Sequence, residues 1–245
     1  MKNALGLAFY FIAVNGLIVL CAATAVLSMG RDELPTAVVA AGIGLAFSGI
    51  EAALLVTLAG KVSPRIQVSD GETTIRPDLV VDRCISWATV VGVGAVAVYA
   101  IFAPQGKIDL PLPYGSQGAW SLAAVVLTLT GTANIVALFK RGGNSFQRLD
   151  PHGFELGQGL TTIRGDWDDV VEIAEHRPGK PPPVRGSIFL RLADGRIRTQ
   201  AVDSYTPRGR AMWKFVRFYW INPDKRDELS DGRAVARLNE IVGTT

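Results

Sequence analysis

The sequence predicts an α-helical membrane bundle of four transmembrane helices, followed by a small cytoplasmic β-rich domain closed by a C-terminal helix. Three observations lead there. Four apolar windows precede Lys140, and most of the charge follows it. The tail then alternates short β-leaning runs with turn signals before an amphipathic aromatic stretch. The composition changes at Arg141-Gly142-Gly143, which sets a membrane domain over 1–141 and a soluble domain over 142–245.

Crossing ~30 Å of hydrocarbon takes about 20 mainly apolar residues. Ala4–Ser28, Pro35–Gly60, Cys84–Ala103 and Gly118–Phe139 all meet that length. The first exceeds the roughly 7–15 apolar residues of a signal peptide and has only Lys2 before it, so it reads as a retained helix. Basic residues set the orientation. Lys2, the second loop (Lys61, Arg65, Arg76, Arg83) and the segment after the fourth window (Lys140, Arg141, Arg148) share one side. The other two loops hold only Arg31 and Lys107. Both termini are expected in the cytoplasm and the chain in the plasma (inner) membrane. Trp87, Tyr99, Tyr114 and Trp120 stand where interfacial anchors belong. Cys21 and Cys84 fall about 20 Å apart in depth, too far for a disulfide.

Two polar residues stand out within the spans. An ionisable group in hydrocarbon costs about 2.5–3.5 kcal/mol on insertion scales, which singles out Glu51. Asn15 falls at nearly the same depth, so the two side chains can hydrogen-bond if their helices are neighbours. They hold the bundle together, face a helix of another subunit, or line a proton or substrate path, the last weakened because no second carboxylate, His or Arg falls in any span. Small residues four apart, Gly42–Ala46, Gly44–Ser48 and Ala88–Gly92, permit close helix approach without saying whose helix approaches. The run "GVGAVA" matches a dinucleotide fingerprint in letters only, because an apolar span surrounds it.

The cytoplasmic loop "KVSPRIQVSDGETTIRPDLVVDR" contains Asp70-Gly71 between β-leaning runs, a hairpin signal on the same side as the tail. In the tail, β-leaning runs fall at Phe146–Leu149, Gly153–Leu156, Leu160–Arg164, Val170–His176, Ser187–Leu192 and Arg196–Val202. Read as a two-residue type I′ turn, Asp194-Gly195 sets Leu192 opposite Ile197, Leu190 opposite Thr199 and Ile188 opposite Ala201. Pro207 opens a helix whose apolar stripe is Trp213, Val216 and Trp220, flanked by Met212 and Tyr219. Arg210, Lys214 and Arg217 share its opposite face, and "DKRDELSDGRAVARLNE" reads as a second, polar helical tail.

Chemistry-bearing motifs are scarce. Asp166-Trp167-Asp168-Asp169 spells D-x-D-D, but Asp168 and Asp169 read as a solvent-facing turn before a strand. His152 and His176 lack metal-ligand spacing, and neither a G-x-S-x-G elbow nor a phosphate-binding loop occurs. "GKPPPVRG" is a polyproline-leaning connector. No catalytic residue, cofactor or metal is expected. The net charge of +3, with a tail nearly balanced in sign, argues against nucleic acid as a partner.

Three segments carry a resemblance. "GDWDDVVEI", "FLRLADGRIRT" and "RAMWKFVRFYW" resemble the acidic tryptophan turn, the Asp-Gly hairpin and the closing helix of bacterial pleckstrin-homology-like (PH-like) domains. The resemblance covers about the last 100 residues and implies a small seven-stranded barrel plugged by the aromatic helix, against six strands counted in the tail. "NPDKRDEL" resembles actinobacterial multi-pass membrane proteins that carry such a domain. That resemblance implies an accessory subunit of the lipid-uptake coordinator type in a mycobacterial MCE lipid transporter. The expected partners are then other integral-membrane subunits, a transporter permease among them. The alternative is a stand-alone lipid or surface sensor in which Arg210, Lys214 and Arg217, with Lys140, Arg141 and Arg148, meet anionic headgroups at up to ~1 kcal/mol each.

Overall fold

The computed structural model describes residues 2–110, 117–175 and 186–244, so Tyr114, His176 and most of the polyproline stretch lie outside the described residues. The chain divides into two compact units, Met1–Ala53 with Arg83–Gly142, and Leu54–Asp82 with Gly143–Thr245.

Four long helices dominate the first unit: α1 (Lys2–Met29), α2 (Leu34–Leu58), α3 (Leu79–Phe102) and α4 (Gln117–Arg141). All four are long and apolar enough to cross a membrane. α3 begins five residues before the apolar window because Asp78 caps it. The Asp78 carboxylate accepts from the backbone N–H of Val80 at 2.8 Å, at the end of a helix where amides lack partners. α2 is the most enclosed span, with 28% of its apolar window buried against 11% for each of the others. Large side chains such as Leu5, Phe9, Leu122 and Phe139 point outward, as lipid contact requires.

In the second unit, strands β1 (Arg65–Ser69) and β2 (Glu72–Arg76) form a hairpin around Asp70 and Gly71. Both turn residues have positive φ, the type I′ geometry. The hairpin is part of the tail's sheet. β2 pairs with β3 (Ser145–Leu149), which pairs with β4 (Gly153–Gln158), which pairs with β5 (Thr161–Asp166). The result is one antiparallel five-stranded sheet in the order β1-β2-β3-β4-β5. A single helical turn at Trp167–Asp169 leads into a second sheet of β6 (Val170–Ala174), β7 (Ser187–Leu192) and β8 (Ile197–Ala201). No strand of one sheet pairs with a strand of the other among the described residues, so the expected barrel is not closed.

The β7–β8 register differs from the expected one. Leu190 lies opposite Arg198 and Ile188 opposite Gln200. The backbone N–H of Leu192 donates to Arg196 O, and that of Gly195 donates to Leu192 O. The loop is therefore Ala193-Asp194-Gly195, three residues, with only Gly195 at positive φ (79°). One extra loop residue slides β8 by one position and exchanges its two faces. Gln200 consequently faces inward and is 2% exposed, while Thr199 is exposed.

Helix α5 (Arg210–Ile221) covers the core, but its inner stripe is Met212, Phe215, Val216 and Tyr219. Trp213 and Trp220 are only half-buried. The stripe thus sits one residue earlier than read, and Phe215 replaces the tryptophans as its centre. Nor is the terminal segment merely polar. It forms α6 (Glu228–Asp231) and α7 (Arg233–Gly243), whose Leu229, Ala234 and Leu238 enter the same core as Trp167, Ile188 and Ile75.

Candidate functional site

In the first unit the Asn15 amide donates to Glu51 Oε1 at 2.6 Å, and also to its own helix at Phe11 O, 2.9 Å. Glu51 is 8% exposed. The glycines meet helices of the same chain. A Cβ on Gly42 would lie 2.6 Å from Ala95 Cβ, one on Gly44 3.1 Å from Cys21 Cβ, and one on Gly92 3.3 Å from Ala46 Cβ. α2 therefore touches α1 on one side and α3 on the other. The polar pair and the small residues singled out in the sequence are used inside the bundle.

On the second unit, Arg210, Lys214 and Arg217 are exposed along the outer face of α5, with the Arg217 guanidinium 5.3 Å from the Trp213 ring centre. Arg148 does not belong with them. It lies between Glu72 at 2.8 Å and Glu155 at 2.9 Å, which compensate its charge. Asp168 and Asp169 are exposed, and Trp167 just before them is buried, its indole N–H donating to Asp150 O at 2.8 Å. Among the described residues no cluster of three His, Cys, Asp or Glu side chains could hold a metal ion.

Two polar arrangements were not visible in the sequence. Arg237 grips Glu228 with two hydrogen bonds, 2.6 and 2.8 Å, and the Tyr219 hydroxyl donates to the same carboxylate at 3.2 Å. The Arg237 bonds hold Glu228 below the usual carboxylate range, while burial pushes the Tyr219 phenol up. The second arrangement is a cleft of about 190 Å³, lined by Leu156, Gln158, Thr161, Ile163, Thr199 and Gln200. It lies where edge strands β5 and β8 of the two sheets face one another. Gln147 on β3, paired with Leu156, is fully buried, and neither atom of its amide has a hydrogen-bond partner among the described residues. The only sequence signal for this site is the length of the β7–β8 loop, which decides the face that Gln200 takes.

No protein-family model matches the chain, and neither a curated protein nor a solved structure is similar to it.

Proposed function

We propose that the chain is a non-catalytic, multi-pass accessory subunit that assembles with a larger membrane complex and presents a PH-like module on the cytoplasmic side. One observation carries this reading: the loop between the second and third spans supplies β1 and β2 to the tail's sheet. Six strands come from the tail and two from the loop, eight in all among the described residues against the seven that the PH-like resemblance implies. A module built this way is part of the membrane protein and not a separable domain on a tether. It also places the second loop and the tail on one side, as spans crossing in alternation require. The apolar outer faces of the spans offer surface to lipid or to other membrane subunits. A lipid importer of the MCE type is the host that the sequence resemblance points to.

Affinity purification of the tagged full chain in mild detergent, with mass spectrometry of the eluate, tests this. Recovery of permease or ATPase chains in stoichiometric amounts is the expected result. Recovery of the chain alone across several mild detergents overturns the proposal. The exposed basic face of α5 favours a second reading, a sensor of anionic lipid. Replacing Arg210, Lys214 and Arg217 by Glu leaves complex recovery intact under the first reading. Under the second it abolishes a salt-sensitive enrichment of anionic lipid around the protein.

A further inference from the structure

Asn15 stands at the middle of the 28-residue α1 and yet is exposed on the outside of the bundle. At a rise of 1.5 Å per residue it lies about 20 Å from either end of the helix. Its amide nitrogen has two hydrogens and both are used, by Phe11 O at 2.9 Å and by Glu51 Oε1 at 2.6 Å. A backbone carbonyl can only accept, so the amide's orientation is fixed and Oδ1 is the atom left over. That oxygen has no hydrogen-bond partner among the described residues, and lipid tails supply no donor. The face around it is open. Ala8, Ile12, Asn15, Val19, Ala22 and Val26 are all exposed, at alternating spacings of four and three, the seam along which a second helix packs. Gly16 lies beside Asn15, and a Cβ built on it meets nothing within 4 Å, so another backbone can come close.

An acceptor that shares its amide with a carboxylate, in hydrocarbon, calls for a donor with positive charge. This chain has none at that depth. Residues 5–29, 34–58, 84–103 and 118–139, the apolar lengths of the four spans, contain no Lys, Arg or His. A second copy is equally poor, and its own Asn15 has no hydrogen left to donate. We propose that the exposed face of α1 around Asn15 docks a transmembrane helix of a different protein, whose Lys or Arg side chain donates to Asn15 Oδ1 at mid-membrane. The cation then lies beside Glu51 and supplies the counter-charge that the spans lack. This rests on the accessory-subunit reading and names the contact by which the chain joins its host.

The test uses the full chain in lipid nanodiscs and three synthetic Leu/Ala-rich transmembrane peptides that differ only in a central Lys, Gln or Leu. Association is read by energy transfer from a dye at the amino terminus of the chain to one on the peptide. The Lys peptide should bind about tenfold more tightly than the Leu peptide, with the Gln peptide between them. Glu51→Gln keeps the acceptor for Asn15, and with it the bundle, and should bring Lys binding down to the Gln level. Gly16→Trp, which adds bulk on the open face, should block all three. Equal binding of the three peptides overturns the proposal, as does Lys binding that survives either substitution. Energy transfer between two differently labelled copies, abolished by Gly16→Trp, assigns the face to a second copy and overturns it too. Purification in mild detergent separates this site from the accessory reading. Permease or ATPase chains recovered with the native protein should be lost with Glu51→Gln. Undiminished recovery sinks the docking face alone, whereas a native chain that purifies by itself yet binds the Lys peptide sinks the accessory reading alone.

Discussion

Asn15 and Glu51 meet at 2.6 Å, so each satisfies a group the other would leave stranded in hydrocarbon. Interhelical hydrogen bonds in membranes contribute about 0.6–2 kcal/mol. Glu51→Leu should therefore lower the thermal midpoint of the detergent-solubilised protein. Glu51→Gln, which keeps an acceptor oxygen, should leave the midpoint nearly unchanged. If Gln is as damaging as Leu, the carboxyl does more than join helices. In the second unit the informative residue is Glu228. Two bonds from Arg237 depress its folded pKa below the unfolded value of about 4.3. The carboxylate's contribution is therefore present in full above that pH and is lost as pH falls through the depressed value. Melting curves followed by Trp fluorescence should show the native midpoint dropping below about pH 4. Glu228→Gln should start lower at neutral pH and lose less on acidification. Parallel acid profiles for the two proteins would mean that the Glu228–Arg237 pair contributes nothing.

At the scale of elements, what could be read from the sequence depended on how local the determinant was. Apolar length alone located all four spans, because hydrocarbon thickness is an external ruler. The two Asp-Gly dipeptides show where local reading stops. Asp70-Gly71 makes the two-residue turn expected of it. Asp194-Gly195 becomes part of a three-residue loop in which the Asp194 carboxylate accepts from the Arg196 backbone N–H at 2.8 Å and also bonds its guanidinium. That one-residue difference turned Gln200 inward, so the cleft was hidden while the hairpin itself was visible. Strand β3 was read at Phe146–Leu149, but its inner face could not be. Ser145, Phe146, Gln147 and Leu149 are all buried, so no alternation of polar and apolar residues could report which face is inside. Gln147 offers a test of this arrangement. With both amide atoms unmatched among the described residues and the side chain fully buried, Gln147→Leu should raise the thermal midpoint, by the equivalent of about 1–3 kcal/mol. A lower midpoint would show that the amide has partners in solution.

For the whole molecule, the consequence of the shared sheet is that the tail is not a self-sufficient domain. Removing the loop strands takes away Ile75, fully buried in the core, whose burial contributes about 1.5–3 kcal/mol. It also removes the bond from the Thr73 hydroxyl to Leu229 O at 2.6 Å, which anchors α6 to β2. Asp82 goes too, and with it the acceptor for the Asn144 backbone N–H at 3.0 Å. β3 becomes an open edge beside an exposed core, in a domain whose total stability is expected at about 5–15 kcal/mol. Residues 143–245 expressed alone should therefore aggregate or give a poorly dispersed amide NMR spectrum. Residues 61–82 joined to 143–245 by a flexible Gly/Ser linker, in place of α3 and α4, should fold and show slow hydrogen exchange in β2 and β3. The two proteins differ only in the hairpin segment and its linker, so the comparison isolates its contribution. A well-dispersed spectrum from the bare tail would separate the module from the membrane protein and remove the main support for an integral accessory subunit.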